Sequence, residues 1–144
     1  LMGVKDKLLD RIARRVAVLA DGWQTTFVTP GQFSVAWQRI ERQAREIERD
    51  VSAMPRCLYY NCHVNEDRDT ALRESKEYLD AYYTTDFTRE QLELWVAMGS
   101  PEQCIKAIRA HVEVGANIIT IRFTARNQTE QLRRFVKDVY PAFQ

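Results

Sequence analysis

His63 and Arg122 are the side chains of this 144-residue sequence best suited to do chemistry. An imidazole can take or give a proton near neutral pH. A guanidinium offers a planar fork of donors to a phosphate or carboxylate. Each stands in a β-like run, "CLYYNCHV" at 57–64 and "NIITIRFT" at 117–124. Side chains alternate along a strand. Tyr59, Asn61 and His63 therefore share one face of the first run, opposite Leu58, Tyr60, Cys62 and Val64. In the second, Thr120, Arg122 and Thr124 oppose Ile119, Ile121 and Phe123. A third strand-like stretch, 23–28, sets Gln24 and Thr26 against Trp23, Thr25 and Phe27. Polar side chains thus converge on one side of three strands. Each has a plainer role: an internal ion pair for Arg122, a hydrogen-bonded strand histidine for His63, a packing partner for Asn61. His111, beside the apolar stripe of its helix, is expected at the solvent, and Trp23 in the core.

Other chemistries lack their signatures. No GxGxxG, phosphate-loop or HExxH pattern occurs, nor a G-x-S-x-G elbow. Cys57, Cys62 and Cys104 are an odd number without CxxC spacing, so no metal site is expected and the thiols read as buried and reduced, in a cytoplasmic protein. Glu66-Asp67 sits at a helix start, where carboxylates favour the dipole. A net charge of +1, with basic residues scattered between apolar positions, argues against nucleic acid or an anionic membrane. No apolar run approaches the ~20 residues of a spanning helix, and the start has no signal-peptide pattern. The first residue is Leu1 rather than Met, so a processed product or a fragment is expected.

The elements that must position these residues follow from periodicity. Helical spacing predicts helices over 5–20, 31–49, 67–83, 88–98, 101–114 and 128–140. "TPGQ" at 29–32 and "SPEQ" at 100–103 share one design: a capping hydroxyl, proline at the first helical position, and glutamine reaching back as the second half of a capping box. Gly115 ends one helix and Pro141 another. With 45% hydrophobic residues and no linker, residues 1–144 read as a single α/β domain or fragment. Strands alternating with long crossovers imply a parallel sheet. Three such strands cannot close a barrel, yet each helix has only one apolar stripe. The pattern is that of a partial TIM-type barrel, about three parallel strands alternating with helices, with one sheet face and at least one edge open.

"RIARRVAVLADGW", "TPGQFSVAWQRI", "YYNCHVNEDRDTALRESKEYLDAYY", "GSPEQCIKAIRAHVEVGANIITIRF" and "TEQLRRFVKDVYPAF" together resemble the C-terminal portion of the luciferase-like monooxygenase family. The resemblance runs in order along nearly all of the chain. It implies an eight-stranded TIM-type barrel using reduced FMN or a deazaflavin, with the last strands of that barrel here and the first five absent. His63 would be the catalytic acid or base. Arg122, Asn61 and Gly3 would bind the cofactor, Gly3 standing near the place of the family's glycine pair. Several members carry a tyrosine just after the eighth strand, where this chain has "TARNQ". Most flavin contacts would come from the absent strands, so this chain alone is expected to hold flavin weakly and to be inactive. Completed by those strands, it would act on a small-molecule substrate. The competing reading is a non-catalytic remnant. Open edges predict self-association, as a homodimer or larger, in either case.

Overall fold

The computed structural model describes the backbone from Met2 to Gln144 and side chains from Lys7 onward. The order is α1 (Met2–Leu19), β1 (Trp23–Thr25), α2 (Pro30–Arg45), β2 (Arg56–Val64), α3 (Arg68–Tyr83), α4 (Arg89–Trp95), β3 (Val96–Gly99), α5 (Pro101–Val112), β4 (Ile118–Phe123) and α6 (Gln128–Arg134). A π-helical turn, Phe135–Val139, and a 3-10 turn, Tyr140–Phe143, extend α6 past Pro141.

Every strand pairing is parallel, and every one involves β2. β4 takes one edge of β2 from Cys57 to Cys62. β1 and β3 therefore share the other edge end to end, β1 against Arg56–Leu58 and β3 against Asn61–Val64. This is the expected parallel α/β architecture, with one strand more than expected. Residues 96–98 were predicted helical, but α4 stops at Trp95 and Val96 turns to φ −128°, ψ 122° to begin β3. Three apolar residues in a row suit either state, and pairing with β2 decides for the strand. Gly99 closes the strand at φ +113°.

Capping sets the helix starts. The boxes at Thr29/Gln32 and Ser100/Gln103 form as predicted, and a third, Thr88/Gln91, starts α4. Each satisfies two backbone donors that a helix end leaves free.

The two sheet faces differ. Leu58, Tyr60, Cys62 and Val64 pack with Phe33 of α2, Cys104 and Ile108 of α5, and Val139. Burying side chains of this size stabilises by roughly 1.5–3 kcal/mol each. α1 lies on α2 through Ala13, Ala17, Trp37 and Ile40. Trp23 is half-buried between these groups, its ring 4.7 Å from Phe33. The other face was expected to be bare. Instead α3 and α4 fold over it, burying Ala71, Leu79, Leu92 and Trp95 against Val96 and Met98. Phe27 joins this side rather than that of Trp23. Its φ of +58° ends the strand direction, and its ring meets Trp95 edge-on at 5.1 Å.

His111 is buried, not exposed. Its Nε2 lies 3.1 Å from the Val28 carbonyl and its Nδ1 3.2 Å from that of Ala107. These contacts tie α5 to the loop after β1 and account for an imidazole inside. All three cysteines are free, Cys62 and Cys104 buried and Cys57 partly so. The contact with Cys104 and burial push the Cys62 thiol well up, so it stays protonated and is no nucleophile.

Candidate functional site

Strand alternation places the predicted residues as read: Tyr59, Asn61 and His63 of β2 share a face with Arg122 of β4 on the side of α3 and α4, and Thr120 lies exposed on that face, 3.3 Å from Cys57 Sγ. They form two polar groups along the sheet.

The first gathers where β2 and β4 end. His63 is fully buried beside Thr124, which follows β4. Its Nδ1 stands 3.2 Å from the Thr124 carbonyl and 3.3 Å from Ser75 Oγ of α3. Ser75 Oγ is 2.8 Å from Thr124 Oγ1. Nε2 points the other way, 3.2 Å from a carboxylate oxygen of Glu74, although not aligned for a hydrogen bond. A carbonyl can only accept, so Nδ1 carries the hydrogen towards Thr124 and Nε2 is the nitrogen open to a proton. Burial lowers the imidazole pKa below 6.5, against the opposing pull of the Thr124 carbonyl and Glu74. The ring is accordingly neutral at physiological pH and becomes a cation next to a carboxylate when it accepts a proton. Gln131 of α6 fixes the strand end by bonding both backbone groups of Val64, at 2.8 and 3.1 Å.

His63 borders a cavity of about 820 Å³ between α3 and the segment after β4. Arg73, Arg126 and Arg134 line it together with Glu74, Glu77 and Glu130, so its formal charges cancel. Arg73 pairs with Glu77 and Arg134 with Glu130, both at 3.2 Å. A neutral, polar occupant suits such a lining. In sheets of this kind, sites form beyond the carboxyl ends of the strands.

The second group surrounds Arg122. Nη1 donates to the Tyr83 hydroxyl at 3.1 Å and to that of Tyr59 at 3.3 Å. The guanidinium lies over the ring of Tyr82 at 4.0 Å, with Tyr83 at 5.3 Å and Tyr78 at 5.4 Å. The internal ion pair considered for Arg122 is not formed. Among the described residues it has aromatic and phenolic neighbours but no carboxylate, and its Nε and Nη2 are buried without partners.

Asn61 is fully enclosed between these groups. Its Nδ2 donates to the Trp95 carbonyl at 3.3 Å, while Oδ1 has no partner. Gly3 falls within the helical backbone of α1, and its surroundings lie outside the described residues. His63, Asn61 and Arg122 are therefore brought to one sheet face, and Gly3 is not seen to join them. Glu74, Ser75 and the tyrosines of α3 were missed as site residues. Ser75 did carry a signal, as a polar residue inside an apolar stripe. Among the described residues, no three His, Cys, Asp or Glu side chains group as metal ligands, and no helix is long and apolar enough to cross a membrane.

A family model of luciferase-like monooxygenases matches residues 10–117. The chain belongs to the luciferase-like monooxygenase family. No curated protein sequence matches it. Solved structures with a similar fold include an F420-dependent secondary alcohol dehydrogenase in complex with an F420-acetone adduct, at TM-score 0.79 and 18% identity, covering 94% of this chain and 46% of that one. The coenzyme F420-dependent tetrahydromethanopterin reductase of Methanopyrus kandleri matches at TM-score 0.72 and 15% identity, over 94% and 49%. The FMN-bound oxygenating constituent of 3,6-diketocamphane monooxygenase, from Pseudomonas putida, matches at TM-score 0.63 and 16% identity, over 90% and 45%. The chain thus spans about half the length of these luciferase-like structures, whose likeness fits a partial TIM-type barrel.

Proposed function

We propose that the chain is the C-terminal part of a flavin- or deazaflavin-dependent luciferase-like oxidoreductase, inactive on its own, that works on a small polar substrate. The observation carrying this reading is the buried, neutral His63 imidazole facing the cavity at the carboxyl ends of β2 and β4. The fit to such a cofactor is supported by the orphaned Nε and Nη2 of Arg122, which suit an anionic group. Arg122 would hold that group, and the enclosed Asn61 would keep the strand between the two sites rigid. Bound reduced flavin or deazaflavin supplies the electron pair for reduction or for oxygen activation. His63 would hold or accept a proton at Nε2, Glu74 would stabilise the resulting cation, and Ser75 and Thr124 would keep the ring oriented. The three free thiols support a cytoplasmic location.

Calorimetric titration with FMN and with reduced deazaflavin tests the reading. The chain alone should bind neither tightly, and the chain joined to the first five strands of a luciferase-like barrel should bind one of them and turn over substrate. Micromolar affinity of the isolated chain, lost on Arg122→Ala, would show that the site is complete without those strands.

A second reading, a non-catalytic protein that associates with itself, is favoured by apolar grooves beside β1 and β4. One, about 480 Å³, runs along β1 and includes Leu9, Ile12 and Val35. The other, about 530 Å³, runs along β4 and includes Ile119, Ile121 and Tyr140.

A further inference from the structure

Arg122 is always charged, yet only one of its three nitrogens is hydrogen-bonded. The bonded one is Nη1. The free ones, Nε and Nη2, lie on the same edge of the guanidinium, the edge that takes a carboxylate or phosphate in a two-pronged bond. Leaving charged donors buried and unmet is costly. The surroundings hold this edge ready rather than satisfy it. Two phenols anchor Nη1, and the Tyr82 ring centroid lies 4.0 Å from the guanidinium carbon. Tyr82 is itself 62% exposed, held by its contacts with Arg122, with the Tyr78 ring at 6.2 Å and with the Tyr83 ring at 4.8 Å. Tyr78 and Tyr82 also line the 820 Å³ cavity, whereas Arg122 does not. The Tyr82 ring thus touches both the guanidinium and the cavity lining.

We propose that the Nε–Nη2 edge of Arg122 is a receptor for an oxyanion, a phosphate or carboxylate group of a small molecule, and that the Tyr82 ring is the door through which that group enters from the cavity. This deepens the cofactor-site reading but does not need flavin to be tested. The neutral cavity admits the body of the molecule, and Arg122 takes its charged end once Tyr82 swings away. Stacking on an arginine is a weaker attraction than a charged hydrogen-bonded pair. A two-pronged charged bond to Arg122, supplemented by the neighbouring phenols, can displace it.

The test follows the Arg122 Nε–H resonance of nitrogen-labelled chain during titration with inorganic phosphate, and separately with acetate, at constant ionic strength. The resonance should move downfield and saturate. Arg122→Lys, which keeps the charge and loses the fork, should weaken binding at least about tenfold, or 1.4 kcal/mol. Tyr82→Ala should bind more tightly and exchange faster, while Tyr82→Phe behaves as the parent. Saturation by phosphate and not acetate, with FMN preferred over riboflavin, assigns the group to a phosphate. Saturation by acetate assigns it to a carboxylate. A resonance unmoved by either anion overturns the receptor, and unchanged affinity in Arg122→Lys overturns the fork. Should Arg122→Lys fail to fold by circular dichroism, Tyr82→Ala decides, and unaltered binding and exchange there overturn the door. Failure of these anions to bind leaves the flavin titration of the longer barrel unaffected, so the two readings fall separately.

Discussion

At His63, burial and the neighbouring carboxylate act in opposite directions, and burial prevails. The consequence for stability has a definite sign. The unfolded chain protonates this imidazole near pH 6.5, and the folded chain only at lower pH. Between those values the unfolded state binds more protons, so stability is full above 6.5 and falls as the pH drops towards the folded value. His63→Asn should flatten that part of the profile, as read from urea midpoints at pH 8 and at mildly acidic pH. An equal slope in the variant would show that the imidazole charges freely in the fold. The Asp67 carboxylate, held down by the Thr70 hydroxyl, acts in a separate window below 3.8. Alternation alone predicted that His63, Asn61 and Arg122 share a face, because a period of two is a local property. It could not show that Glu74 and Ser75 descend onto His63, since the direction from which a helix crosses a sheet is set by distant packing. The same limit misplaced His111, whose partners include Val28 on a different element.

Among the elements, the starts of α2 and α5 were legible to within a residue because they carry chemistry of their own, whereas α2 ends at Arg45, short of the expected 49. Thr29→Ala removes the acceptor for the Gln32 amide and should cost about 1 kcal/mol in chemical denaturation. A change within a few tenths of zero would mean that solvent replaces the cap. α4 and β3 were not separated, because "WVAM" has no breaker and only its pairing partner distinguishes strand from helix. The junction at Gly99 is tightly built. A Cβ there would stand 1.9 Å from the Gln103 amide oxygen that caps α5. Gly99→Ala therefore combines an unfavourable φ with a broken capping box, and it should destabilise by about 1–3 kcal/mol. Phe33 is the α2 side chain that holds the sheet, buried against Trp23 and the β2 cluster. Phe33→Ala should cost about 3–5 kcal/mol, and a loss below 1 kcal/mol would show that the core closes over the gap.

For the whole molecule, β1 and β4 each pair only with β2, and each is flanked by an apolar groove. Exposed strand edges beside apolar surface favour association. Light scattering behind a sizing column should therefore give a dimer or larger species. A well-folded 16.9 kDa monomer free of dye-binding surface would show that the cover supplied by α3 and α4 is sufficient. The class of fold was legible at this scale because alternating strands and crossovers admit few topologies. The cover was not, since α3 reads the same whether it lies over a barrel wall or over its interior. The parallel pairing of β2 with β4 also has a history in time. Arg56 donates to Asn117, 61 residues further along the chain. A ribosome adding about 5–20 residues per second leaves β2 without that neighbour for roughly 3–12 s. Through that interval Leu58 and Tyr60 have only part of their cover, and the nascent chain is at its most dependent on a chaperone.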